Sequence, residues 1–309
     1  MTGINKKLLV SSIALWMAMF AAAQKPLKLF SELGLKENVK TLSLRTYEAL
    51  DNFGKPEKGD RSSDNADYTF LKNGDLDERN IYNQNGSLRT RHVYLYDAAG
   101  KMIEQNMYDK GGPLRLRFRY KYNNNGHLYE QRSFKPDGTM VSKYTYEYDK
   151  RGNQVLVNAY TGKNEIIERT VYLYDSANNQ TAWQSYDADS TLVMKASYSY
   201  NLYGNLIEEN LYDGDGNLEK KSLMIYEPGN KISALVEYSG NYVMVKTVQY
   251  KYDAQNNIID EVWYDKDNNI LDHYTNKYTY DKKKNWIKKT AYRNQVAVTI
   301  AEREITYFK

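Results

Sequence analysis

The chain has 309 residues, with 43 basic against 39 acidic side chains, a formal net charge of +4 and no cysteine. That excludes a disulfide scaffold, a thiolate metal site and a cysteine nucleophile, and it lacks the basic excess of a nucleic-acid-binding domain. Tyrosine is the outlier at 31 residues against 7 Phe and 4 Trp, enough aromatic surface to build a packed fold despite 27% charged residues.

Lys6 and Lys7 precede an apolar run from Leu8 to Phe20 that ends in Ala21-Ala22-Ala23-Gln24. A charged start, an apolar middle and a small-residue end mark a secretory signal peptide, read here as residues 1–23. The run is too short for a transmembrane helix, and no cysteine follows it to carry a lipid. The mature chain is expected to be exported, to the periplasm, cell surface or medium, with no transmembrane span.

Residues 24–67 stand apart. Val39–Ala49 reads as a strand, while Gly54-Lys55-Pro56 and Gly59 to Asp64 read as loop. An irregular first unit is what a repeat array uses to cover an open edge.

Residues 68–309 carry a ruler. A Tyr-x-Tyr pair recurs with its second aromatic at Phe70, Tyr96, Tyr122, Tyr148, Tyr174, Tyr200, Tyr226 and Tyr252, each step being 26 residues. Tyr280 and Tyr307 follow after steps of 28 and 27. A second ladder sits twelve residues behind the first, at Tyr82, Tyr108, Phe134, Tyr160, Tyr186, Tyr212, Tyr238, Tyr264 and Tyr292. Four residues after most rungs stands Gly or Asn, the residues that tolerate positive φ. Each rung is thus a strand end with its turn, and 26 residues make two strands. Within strands the period is two: Leu114, Leu116, Phe118, Tyr120 and Tyr122 alternate with Arg115, Arg117, Arg119 and Lys121. The expected fold is all-β, a repetitive antiparallel meander of some 18 to 20 strands forming a long curled or spiralling sheet, Tyr rings inside and charges outside.

Tyr96-Asp97-Ala98-Ala99-Gly100, Tyr148-Asp149-Lys150-Arg151-Gly152-Asn153 and Tyr212-Asp213-Gly214-Asp215-Gly216-Asn217-Leu218 resemble the tyrosine-aspartate (YD) repeats of the Rhs family. The terminal part, Tyr280-Asp281, Asn285-Trp286 and Arg303 to Tyr307, looks like the last module of short exported bacterial YD-repeat proteins. The resemblance implies a spiralling β-sheet; large members form shells around toxin domains or cell-surface stalks. The expectation is that this chain is too short to close such a shell and carries no separate domain after Tyr307.

His92, His127 and His273 share no repeat phase, so no His-based catalytic constellation is expected. Glu78, Glu104, Glu130, Glu208 and Asp260 each stand four residues before a second-ladder rung. Glycoside hydrolysis needs two carboxylates once, whereas these recur, as acids at a solvated sheet margin do. Asp213 to Asn217 reads as a turn rather than a calcium loop, since Leu218 and Met224 stand where an EF-hand needs Gly and Glu. The alternation Arg115 to Phe118 reads as a solvated face, not a nucleic-acid platform. Trp183 and Trp263 lie an odd number of residues before Tyr186 and Tyr264, which points both outward as candidate platforms for sugar rings. The expectation is a non-enzymatic repeat protein without cofactor or metal that binds or scaffolds a glycan or a partner protein in the bacterial envelope. The alternatives are an accessory or immunity partner of a secreted toxin system and, behind it, an envelope glycan hydrolase.

Overall fold

The computed structural model describes residues 29–36, 38–62 and 65–309; the signal-peptide reading of 1–23 lies outside them. A single helical turn, α1 (Leu29–Glu32), is followed by β1 (Val39–Asn52), β2 (Lys55–Arg61), β3 (Asn65–Phe70), β4 (Leu76–Tyr82), β5 (Leu88–Tyr96), β6 (Met102–Asp109) and β7 (Leu114–Tyr122). Then come β8 (Leu128–Phe134), β9 (Met140–Tyr148), β10 (Gln154–Thr161), β11 (Ile166–Tyr174), β12 (Gln180–Asp187), β13 (Leu192–Tyr200) and β14 (Leu206–Asp213). The remainder are β15 (Leu218–Glu227), β16 (Lys231–Ser239), β17 (Met244–Tyr252), β18 (Ile258–Tyr264), β19 (Ile270–Tyr280), β20 (Trp286–Arg293) and β21 (Val296–Tyr307).

From β3 to β21 every strand pairs antiparallel with the next. The meander then closes. β1 lies between its two ends, pairing Val39 to Glu48 with Tyr307 to Thr299 of β21 and Thr41 to Leu44 with Thr69 to Ala66 of β3. The result is a ring of 20 strands, with β2 leaving as a side hairpin on the far half of β1. The all-β meander expected from the ruler is present, and it is a barrel rather than an open spiral. One local expectation is corrected. Residues 55–61 form a strand where loop was expected, because β1 runs past the ring and offers Leu50 to Asn52 as a pairing edge. From the irregular N-terminal stretch, β1 pairs with the free edges of both β3 and β21.

The turns follow the rung chemistry. Asp97 Oδ1 accepts the backbone N–H groups of Ala99 and Lys101, both at 2.9 Å, and Asp149, Asp175, Asn201, Asp253 and Asp281 repeat that cap. Asn164, Asn178, Asn230, Asn256 and Asn268 take the positive φ that Gly takes elsewhere. Asp213 caps its own turn in the same way, through the N–H groups of Asp215 and Asn217.

The first-ladder tyrosines tie neighbouring repeats together. Tyr96, Tyr122, Tyr148, Tyr174, Tyr200, Tyr226 and Tyr252 each donate their hydroxyl to the backbone carbonyl twenty residues earlier, at 2.7–2.9 Å. After the longer step the partner changes: the Tyr280 and Tyr307 hydroxyls bond the carboxylates of Asp253 and Asp281. The deepest tyrosines are the first members of the Tyr-x-Tyr pairs. Tyr94, Tyr120 and Tyr146 are only 6–8% exposed, packed with Leu128 and Val157 in the middle of the array and with Phe70, Leu76 and α1 near the seam.

Candidate functional site

Burial distinguishes the two sheet faces. Tyr94, Tyr120 and Tyr146 share a face with Gln131, Val157 and Thr170, and all six are buried. A closed sheet crowds the side chains of its concave side, so this is the inner wall. Toward β12 and β13 the same face is less covered, with Trp183 and Tyr198 half-buried.

The outer wall carries the acids. Glu78 pairs with Arg91 at 2.7 Å, Glu104 with Arg119 at 3.2 Å, Glu130 with Arg132 and Lys121 at 2.7 and 2.9 Å, Glu208 with Lys221 at 3.0 Å and Asp260 with His273 at 3.4 Å. Second-ladder rings accept cations beside them: Lys143 stands 4.2 Å from the Tyr160 centroid and Lys195 5.1 Å from that of Tyr212. These acids are a belt of ion pairs, solvated except at the buried Glu130. The arginines at 115, 117 and 119 join that belt while Phe118 packs in the inner cluster, so bases and ring do not form one platform. A belt of this kind is also unlike the apolar outward band of a lipid-facing barrel. No helix of the described residues is long and apolar enough to cross a membrane. On the outer face, where Ala234 replaces the recurrent acid, a groove of about 330 Å³ opens among Ser233, Gln249, Lys251, Asp260 and Tyr264.

The histidines go to three separate places. His92 lies on the inner wall against Gln105 at 3.1 Å, and burial followed by the Arg79 charge pushes its pKa down to about 4. His127 stacks on Tyr148, and His273 faces Asp260 on the outer wall.

Trp183 and Trp263 point inward, not outward. Trp183 lies opposite Tyr172 on β11 and Ala196 on β13, and Trp263 opposite Val248 on β17. The reason is hairpin parity. Tyr172 and Trp183 are cross-strand partners eleven residues apart, and an odd separation swaps which parity faces inward after each turn. Each Trp is therefore opposite in face to Tyr186 or Tyr264, as alternation requires, but it is those second-ladder tyrosines that face out. Tyr186 bonds Gln184 there.

The two indoles differ in what holds them. Trp263 has Lys246 4.0 Å from its ring centroid, Tyr274 at 5.7 Å and its N–H donated to Glu261 at 2.6 Å. The Trp183 N–H donates to the Tyr198 hydroxyl at 2.9 Å, and no cation lies over its ring among the described residues. Tyr198 lies opposite Glu209 and hydrogen-bonds it. Next along the wall, the buried Glu168 accepts the Ser185 hydroxyl at 2.6 Å and that of Thr170 at 3.4 Å. Burial raises its pKa against the effect of those two bonds, and among the described residues no base pairs with it. Asp187 is its cross-strand partner, but Asp187 Oδ1 holds the N–H groups of Asp189 and Thr191 in its own turn. The strip from β11 to β14 thus presents one indole, several phenols, two carboxyls and two hydroxyls on a concave wall. Glu168 and the neutral polar groups were missed by pattern reading, since no repeat phase marks them.

A family described only as an uncharacterised protein matches residues 59–162. No curated protein matches the sequence. Among solved structures, the chain is similar to the TcdB2-TccC3 complex chain, at 12% identity over 83% of this chain and 19% of that one, with a TM-score of 0.27. It is similar to a porin-like protein from Bacteroides uniformis, at 10% identity over 87% of this chain and 96% of that one, TM-score 0.35. A protein of unknown function from Bacteroides fragilis aligns at 17% identity over 53% and 94% of the two chains, TM-score 0.18. The chain spans about a fifth of the TcdB2-TccC3 chain. These scores are too low to carry an argument about function.

Proposed function

We propose that this is an exported, non-enzymatic barrel of YD-repeat type that binds a glycan of the bacterial envelope on its inner wall. The observation that supports the reading is the strip around Trp183: an indole pinned at its N–H by Tyr198, with Glu168, Ser185 and Glu209 beside it on the same face. An aromatic plane flanked by hydroxyls and carboxyls suits a sugar ring, which offers apolar C–H groups on its faces and hydroxyls at its rim. The Asp/Asn-capped 26-residue ruler supports the family assignment.

The test is a titration of residues 24–309 with peptidoglycan fragments and surface polysaccharides, following the emission of Trp183, Trp263 and Trp286. The reading expects a saturable change that Trp183→Ala abolishes and Trp263→Ala, whose ring is covered by Lys246, leaves largely intact. No response across the panel from folded protein overturns it. A second reading, an accessory partner of a secreted toxin system, is favoured by Leu202 and Tyr203, which stand fully or almost fully exposed at one turn tip. A stoichiometric complex with a defined toxin chain, weakened by Leu202→Asp, would establish that reading instead.

A further inference from the structure

Two cations on the inner wall at the closing seam form no ion pair among the described residues. Arg303 of β21 is 7% exposed. It stacks on Trp286 with its guanidinium carbon 3.4 Å from the ring centroid, and its Nη2 donates to the carbonyl of Leu33, just past α1, at 2.7 Å. Its Nε and Nη1 are buried and have no hydrogen-bond partner. Lys289 of β20 shares the wall: it pairs with Ala301, two residues along β21 from Arg303, and stands 5.8 Å from the Tyr278 ring. The nearest acid whose charge reaches Lys289 is Glu261, and Glu261 already accepts the Trp263 N–H.

Each cation is less readily protonated here than in water. Burial comes first as the cause for both, and it pulls Arg303 down to about 10; their mutual repulsion adds to the effect on Lys289. Buried cations ordinarily keep an acid or a full set of acceptors, because an uncompensated buried charge is strongly destabilising. Stacking and the Leu33 carbonyl account for one edge of the guanidinium. Nε–H and the Nη1 group lie on different sides of the guanidinium, so each offers its own donor to an anion oxygen.

We propose that Arg303 and Lys289 form an anion site on the inner wall of the seam, where a carboxylate or phosphate group accepts an unpartnered N–H of Arg303 and faces the Lys289 ammonium. Trp286 is the floor of that site. Trp183 is on β12, remote along the meander from β19–β21, so this site and the glycan reading stand or fall separately.

The experiment uses residues 24–309 with inorganic phosphate and, in a separate arm, glucuronate, each against chloride at matched ionic strength. Melting temperature and Trp emission are read together. A saturable rise of several degrees with either anion is expected, and the arm that responds tells phosphate from sugar carboxylate; a response in both assigns the shared oxyanion chemistry. Lys289→Met, which keeps the stem and removes the charge, should fold and weaken the response roughly tenfold; Arg303→Met should abolish it but is not needed to decide. No saturable response to either anion, or a response that Lys289→Met leaves unchanged, overturns the proposal.

Discussion

Tyr122 donates its phenol hydrogen to the backbone carbonyl of Met102, 2.8 Å away and twenty residues back along the chain. The bond bridges two turns, and its repetition from Tyr96 to Tyr252 makes the ladder a structural lock as well as a packing element. Tyr122→Phe keeps the ring and deletes the bond, and should cost about 1 kcal/mol. Tyr146→Ala, at one of the most buried positions, should cost roughly 3–5 kcal/mol. Urea unfolding of both variants checks the ranking; equal losses would mean that packing does not govern this face.

One turn offers two substitutions of opposite sign. In Ser239 to Val243, Tyr242 occupies positive φ, 59°, where most other repeats place Gly or Asn, and its ring is 67% exposed. Tyr242→Gly should stabilise by about 1 kcal/mol. Gly240 has ordinary φ, but a Cβ there would collide with the backbone carbonyl of Leu218. Gly240→Ala should therefore destabilise by about 2 kcal/mol or more. Thermal melts of the pair would contradict this turn geometry if both moved in the same direction.

The tyrosine wall sets an alkaline limit. Burial is the first cause that pushes Tyr94, Tyr122 and Tyr198 up to about 12, and Tyr96, Tyr120, Tyr146, Tyr148 and Tyr172 are raised further for the same reason. Their folded pKa values exceed the unfolded value of 10.0, so above that pH the unfolded chain holds fewer protons than the native one. Stability should be full below pH 10 and fall steeply between about 10 and 12. Phenolate absorbance should therefore appear with unfolding rather than ahead of it. Full ionisation of the tyrosines while the sheet signal persists would show that the wall is wet.

Glu168 has the opposite sign to the belt acids. Its folded pKa is raised by burial, so its contribution to stability is present below the ordinary carboxylate pKa and is lost as pH rises through the folded value. Glu78, Glu130 and Glu208, lowered despite some burial by bonds to Arg91, to Lys121 and Arg132, and to Asn210 and Lys221, contribute above pH 4.5 and lose it on acidification. Glu168→Gln should raise the melting temperature at pH 7 and flatten its decline as pH rises above the ordinary carboxylate range. A lower melting temperature at pH 7 would mean that the carboxylate is satisfied by a group other than Ser185 and Thr170.

Much of this was legible in the chain. The rung spacing identified strand ends, and Asp97, Asp149 and Asp175 do cap the turns that their place after Tyr implies. Alternation in Leu114 to Tyr122 gave the right faces, with Tyr120 buried and Arg119 in the outer ion-pair belt. Parity across turns was not legible. Whether residues eleven apart pair, as Tyr172 and Trp183 do, depends on hairpin register, and one residue of slip sends every later side chain to the other face. That is why Trp183 was expected outside. Closure was hidden for a different reason: β1 has no rung and no repeat phase, so its pairing with both β3 and β21 is written in no local pattern. The buried Arg303 and Glu168 escaped notice because a charge on an inner wall looks in sequence like a charge anywhere else.

Ring closure is what creates an inner wall, and the seam between Thr41 and Thr306 tests it. The two are cross-strand partners 265 residues apart, with hydroxyl oxygens 2.5 Å from each other. The chain has no cysteine of its own. Thr41→Cys with Thr306→Cys, oxidised at low protein concentration, should form an intramolecular disulfide in nearly every molecule, visible as a faster-migrating monomer on a non-reducing gel and reversed by reductant. Monomers that keep two free thiols, or cross-linked dimers in their place, would show that β1 and β21 do not meet and that the sheet is open.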